Sequence, residues 1–124
     1  LDKVLIRQGI GCIAFSPLAQ GILSNRYLDG IPEDSRAGKA HGFLKAEELD
    51  SDVMTKVRLL NNLAGKWEMS LAELALNWVR SQRFITSVLV GISSVEQLKL
   101  NLRLINLQPF NCEELAEISS IMEG

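Results

Sequence analysis

Two short, nearly all-apolar runs, far apart in the chain, limit what this sequence can fold into. They are Cys12-Ile13-Ala14-Phe15 and Ser87-Val88-Leu89-Val90. Each is expected as a strand, and the first, nearly all apolar, as one covered on both faces. Amphipathic helices separate and follow them, and that order predicts parallel βα units in an α/β fold. A parallel sheet needs helices on its faces and neighbouring strands on its edges. Two strands do not make one. Further strands are expected from outside these 124 residues, or from a partner.

Helix signals fill most of the remaining chain. Leu1, Val4 and Leu5 share one face of an opening helix that Gly9 and Gly11 stop. Val53, Val57, Leu60, Ala64 and Trp67 recur at helical spacing, with Asp50 or Ser51 as N-cap. Ser70-Leu71-Ala72-Glu73 is a capping box, and its helix is apolar at Leu71, Leu74, Ala75, Trp78 and Val79. Ser94-Val95-Glu96-Gln97 is read as another capping box, and Asn111 caps a last helix carrying Leu115, Ile118 and Met122. Residues 17–50 show little periodicity and are punctuated by Gly21, Gly30, Pro32, Gly38 and Gly42, with one helical turn expected over 22–27. Connections this long in compact domains usually serve as lids or binding loops.

Composition removes several classes of function. With 13 Lys and Arg against 15 Asp and Glu, the net charge of −2 offers no basic face to a nucleic acid. No run approaches the ~20 apolar residues of a membrane span, and no signal-peptide pattern opens the chain. Cys12 and Cys112 are too few for a disulfide framework; they read as small buried hydrophobes in a reducing, cytoplasmic compartment. No nucleophile–base pair or metal-ligand cluster stands out, so neither a catalytic residue nor a metal is assigned. The single histidine, His41, reads as a solvated loop residue, and Trp67 and Trp78 read as core.

Three places remain where a ligand is expected. Phe15-Ser16-Pro17-Leu18-Ala19-Gln20-Gly21 leaves the carboxyl end of the first strand, where parallel α/β folds bind ligands. It is either such a loop or a plain Pro-Gly turn. Val90-Gly91-Ile92-Ser93-Ser94 runs into a helix, whose free amides and dipole suit phosphate. It is equally a serine cap after a glycine turn. Gln97 and Asn101, four apart, share a face of that helix and either reach a ligand or meet water. Arg26, Arg36 and Lys39 bring to the long loop side chains that are either phosphate-binding or solvated.

These pieces, in this order, resemble one family. Phe15-Ser16-Pro17-Leu18-Ala19-Gln20-Gly21, Gly30-Ile31-Pro32-Glu33-Asp34-Ser35-Arg36, Leu74-Ala75-Leu76-Asn77-Trp78-Val79 and Ser87-Val88-Leu89-Val90-Gly91-Ile92-Ser93-Ser94-Val95-Glu96-Gln97-Leu98 with Asn101 are similar to the carboxyl-terminal part of an aldo-keto reductase. The branch it looks like is that of potassium-channel β subunits and bacterial glyceraldehyde-3-phosphate-type reductases, and the likeness runs from about Gly9 to the end. It implies a portion of a (β/α)8 TIM barrel, with residues 12–15 and 87–90 as strands seven and eight. Residues 1–124 would be the carboxyl-terminal half of a single barrel, and residues 17–50 a loop covering the cofactor.

The resemblance also implies NADP(H) as cofactor. Ser16, Pro17, Leu18, Ala19 and Gly21 would line its pyrophosphate, and Arg26 stands where the family usually has a lysine. Arg36, Gly91, Ser93 and Gln97 would hold the 2′-phosphate end, and Asn101 the adenine. Asp34 and Leu100 depart from the family pattern; the usual residue at Leu100 is acidic. The family reduces small aldehydes and ketones by hydride transfer, using a tyrosine, lysine, aspartate and histidine. Neither Tyr27 nor His41 stands in a matching motif, so the isolated chain is expected to be inactive, and to self-associate or pair with an amino-terminal half. A whole barrel takes about 250 residues. Two alternatives stand beside this reading: a non-catalytic nucleotide-sensing subunit, and a small α/β protein whose sheet a dimer completes.

Overall fold

The stripe at Val57, Leu60 and Ala64 buries as its spacing predicts. In the computed structural model, which describes residues 1–24, 28 and 51–124, it lies on α2 (Ser51–Lys66). Helices α3 (Leu71–Arg80) and α5 (Cys112–Glu123) pack around it. Leu71, Leu74, Phe110 and Ile118 complete the core, together with Leu63, which the spacing did not single out. Each fully buried side chain of this size contributes roughly 1.5–3 kcal/mol. Trp67 stands at the rim, its ring centroid 5.3 Å from that of Phe110.

Helix ends follow local chemistry. Ser70 and Asn111 each form a full capping box, with Glu73 and Glu114 reaching back to the cap amides. Asp50 lies outside the described residues, and Ser51 is the first residue of α2. After α2, the amide of Met69 donates to the carbonyl of Ala64 over Glu68, whose φ is +55°. A left-handed residue closing a helix is ordinarily glycine. Helix α1 (Asp2–Gln8) ends in the ordinary way, on Gly9 at φ +64°.

The two strands form, each a residue or more shorter than expected. They are β1 (Ile13–Phe15) and β2 (Ser87–Leu89), paired in parallel with Ile13 opposite Ser87 and Phe15 opposite Leu89. Thr86 pins the start of the pair: its amide donates to the carbonyl of Cys12 at 2.8 Å, and its hydroxyl accepts from the amide of Cys12 at 3.0 Å. The expectation of burial on both faces is corrected. Ile13, Phe15 and Leu89 are 68%, 77% and 64% exposed, while Ala14 and Val88 are half-buried. Side chains alternate across a strand, so Ala14 and Val88 share the more covered face of the pair, and Ile13, Phe15 and Leu89 the largely exposed one.

Two further expectations are corrected. Trp78 is 38% exposed rather than core, because α3 buries Leu71, Leu74, Ala75, Leu76 and Asn77 instead. Cys12 is half-buried beside the strand start, and Cys112, first residue of α5, is exposed. Neither behaves as a small buried hydrophobe. Helix α4 (Val95–Leu102) follows β2, runs into a 3-10 turn at Arg103–Asn106 and, like α1, buries no residue. Residues 19–21 form a 3-10 turn; most of the turn expected over 22–27 lies outside the described residues. Among the described residues no helix is long and apolar enough to cross a membrane.

Candidate functional site

Strand register decides where a site can be. Because Phe15 sits opposite Leu89 in a parallel pair, Ser16 and Val90 leave the sheet side by side at one end. Neighbouring strands lie about 4.8 Å apart. The first two candidate segments therefore start at the same strand end.

The segment after β1 is a tight turn closed on itself. The Ala19 amide donates to the Ser16 carbonyl at 2.9 Å, the Gly21 amide to Leu18 at 2.9 Å, and the Leu23 amide to Leu18 at 3.2 Å. Ala19 and Gly21, two expected pyrophosphate-lining residues, thus spend their amides within the turn, and those of Leu18 and Gln20 lie outside these bonds. Ser16, Ala19 and Gln20 take φ of +52°, +46° and +58°, ahead of Gly21 at +104°. Only glycine does this freely; each of the others stores about 1–3 kcal/mol. Such strain clusters at ligand-binding turns. Sequence reasoning named Gly21 and missed the rest, since nothing in a serine, an alanine or a glutamine announces a left-handed backbone.

The segment after β2 gathers donors at the start of α4. The hydroxyl of Ser94 accepts from the Gln97 amide at 3.2 Å, half of the expected capping box. The other half is shifted by one residue. Gln97 Oε1 accepts from the Ser93 amide at 2.9 Å and from the Ser93 hydroxyl at 3.0 Å, rather than from the amide of Ser94. Two donors of Ser93 thus converge on one oxygen near a helix N-terminus, an arrangement that suits an anionic oxygen equally well. A side chain built on Gly91 would meet no described atom within 4 Å, so the space above this segment is open. Asn101 lies one turn beyond Gln97 on α4 and is half-buried, whereas Gln97 is exposed.

The structure therefore brings Ser16, Pro17, Leu18, Ala19 and Gly21 to the same strand end as Gly91, Ser93 and Gln97. Arg26, Arg36 and Lys39 lie outside the described residues, as do Tyr27 and His41. Among the described residues no group of His, Cys, Asp and Glu is placed to hold a metal ion.

Comparison with known proteins places this geometry. The model of the aldo/keto reductase family matches residues 1–123. Two proteins named L-glyceraldehyde 3-phosphate reductase, from two strains of Escherichia coli, are 46% and 43% identical over 122 residues, which is 95% of this chain and 35% of theirs. An aldo-keto reductase from Bacillus halodurans, solved in its apo form, superposes with a TM-score of 0.65 at 24% identity, covering 96% of this chain and 36% of that one. The chain thus spans about a third of the length of the relatives it matches. Its two strands and their helices are a portion of the family's (β/α)8 barrel, which accounts for a strand pair with one bare face. With a family match along nearly its whole length and the parallel strand pair to accompany it, the chain belongs to the aldo/keto reductase family.

Proposed function

We propose that this chain is the carboxyl-terminal, cofactor-binding part of an NADP(H)-dependent aldo-keto reductase that reduces aldehydes or ketones to alcohols. The observation that carries this reading is the register, which brings the strained turn after β1 and the serine-rich start of α4 to one strand end. Ligands of parallel α/β folds bind at that end. Ser16, Pro17, Leu18, Ala19 and Gly21 would lie along the pyrophosphate, with Arg26 above it. Gly91, Ser93 and Gln97, joined by Arg36, would hold the 2′-phosphate, and Asn101 the adenine.

The described residues fit that group. Ser93 already offers two donors to a single oxygen, that of Gln97, and the space at Gly91 is open. When bound, the nicotinamide would supply a hydride to the substrate carbonyl. The work of this chain would be to bind and orient, through strained backbone after β1 and directed donors before α4; residues 17–50, most of which lie outside the described residues, would be the covering loop. Proton donation falls outside it, because Tyr27 and His41 stand in no motif of the family's tetrad. The names of the Escherichia coli relatives make a small phosphorylated aldehyde the first substrate to try. Free cysteines at positions 12 and 112 favour a reducing, cytoplasmic setting. The bare face of Ile13, Phe15 and Leu89 favours self-association, or pairing with a complementary half of the barrel.

The chain tests this directly. Titration with NADPH, followed by nucleotide fluorescence, is expected to saturate, with no loss of NADPH absorbance when 4-nitrobenzaldehyde is added. Absence of binding would contradict the cofactor assignment. Steady oxidation of NADPH would contradict the absence of a proton donor.

A further inference from the structure

Helix α4 carries the proposed phosphate-binding residues at its start, yet it buries no side chain of its own. Full burial of apolar side chains therefore does not fix its position. Its far end runs without a break into the 3-10 turn Arg103–Asn106 and on to Phe110, and this stretch is gripped by polar side chains from the last turns of α3. Arg80 donates through one guanidinium nitrogen to the carbonyl of Leu104 at 2.7 Å and through the other to the carbonyl of Leu107. Asn77, the one buried polar residue among those described, donates to the carbonyl of Gln108 at 3.0 Å. The hydroxyl of Ser81 accepts from the amide of Phe110 at 2.7 Å and donates to the carbonyl of Asn77 at the same distance. Glu73, also on α3, faces Arg103 at 3.9 Å.

We infer that Asn77, Arg80 and Ser81 are positioning residues for the cofactor's phosphate end, acting through α4. Helix α3 is fixed in the core by Leu71 and Leu74. Its carboxyl end reads the backbone that follows α4 through directional hydrogen bonds, two of them from a charged fork. Apolar contact is non-directional and tolerates sliding. A guanidinium held on the carbonyl groups of both Leu104 and Leu107 does not, because its planar fork fixes both distance and angle. Rigidity then passes from the core, through the latch and along α4, to Ser93 and Gln97. None of the three residues is placed at the strand end where the ligand would sit.

This inference rests on the proposed function, and two readouts keep them separable. On the full chain, Arg80→Gln is expected to raise hydrogen exchange across residues 95–102 while α2 and α3 keep theirs. It is also expected to weaken NADPH about tenfold, the size of one charge-assisted hydrogen bond, and to shrink the preference for NADPH over NADH. Arg80→Lys keeps the charge but loses the fork, so it should restore neither. A merely structural role would lower the folded fraction and leave affinity and preference of the folded protein unchanged; that result overturns the inference. So does unchanged exchange in α4. Should Arg80→Gln unfold the core, Ser81→Ala, which removes the bond from the Phe110 amide and the local bond to the Asn77 carbonyl, carries the same two measurements. If the unaltered chain binds no NADPH, the functional reading fails, and the positioning role falls with it whatever the exchange shows.

Discussion

The two halves of this molecule are held together by different physics. Helices α2, α3 and α5 enclose Val57, Leu60, Leu63, Leu71, Leu74 and Ile118, and their ends are closed by complete capping boxes at Ser70 and Asn111. The other half, β1, β2 and α4, leaves Ile13, Phe15 and Leu89 in the open and buries no side chain on its helix. Yet the proposed site belongs to the second half. The helical half supplies the rigidity, and the strand half supplies the strand ends, the strained turn and the donors. The proposed site lies on the less packed part, which the hydrogen bonds of Asn77, Arg80 and Ser81 tie to the better packed part.

That contrast is easiest to break with paired substitutions read by urea denaturation. Leu71→Ala removes a side chain with 0% exposure and is expected to cost about 2–5 kcal/mol. Phe15→Ala removes a larger side chain from the open face and is expected to cost less than about 1 kcal/mol. Equal losses would mean that the strand face is covered in solution. Sizing chromatography sharpens that point. If the bare face drives self-association, Phe15→Lys shifts the protein to smaller species, whereas an unaltered elution profile would remove Phe15 from any contact between copies.

A smaller effect separates the caps. Ser70→Ala opens a complete capping box on a core helix and should cost about 1 kcal/mol of global stability. Ser94→Ala loosens the start of α4, the end away from the grip of α3 on a helix with no fully buried side chain, so its effect should be confined to local exchange in residues 95–102. A comparable drop in the global midpoint for Ser94→Ala would show that α4 unfolds together with the core.

Much of this was legible from residue patterns, because the helical half obeys rules that act along the chain. The stripe of Val57, Leu60 and Ala64 and the boxes at Ser70 and Asn111 depend on neighbours three or four residues away, and they fold as read. Both strands were also found, from their unbroken apolar runs. Their exposure was not foreseen, since those runs answer to strands and helices that the described residues do not supply. The exposure of Trp78 was missed for a related reason: a stripe reports which residues are apolar, not which of them the neighbouring helices reach. The shifted cap at Ser93 and the left-handed backbone at Ser16, Ala19 and Gln20 are local conformations at the strand ends that residue type does not announce. The departures at residues 16–20 and at Ser93 fall where the site is proposed, as expected where function competes with regularity, whereas those at Glu68 and Trp78 lie in the helical half.

The central claim is that the strand end formed by residues 16–21 and 91–97 holds the phosphates of NADP(H). Its most direct test is calorimetric titration of NADPH and NADH into the unaltered chain and into Ser93→Asp, which replaces the hydroxyl donor to Gln97 with a carboxylate beside the remaining Ser93 amide. The unaltered chain is expected to bind NADPH more tightly than NADH. Ser93→Asp is expected to weaken NADPH by about tenfold or more and to erase that preference, with the thermal midpoint of the helical core unchanged. Equal affinity for the two nucleotides, or a Ser93→Asp chain that binds NADPH as the unaltered one does, would contradict the claim.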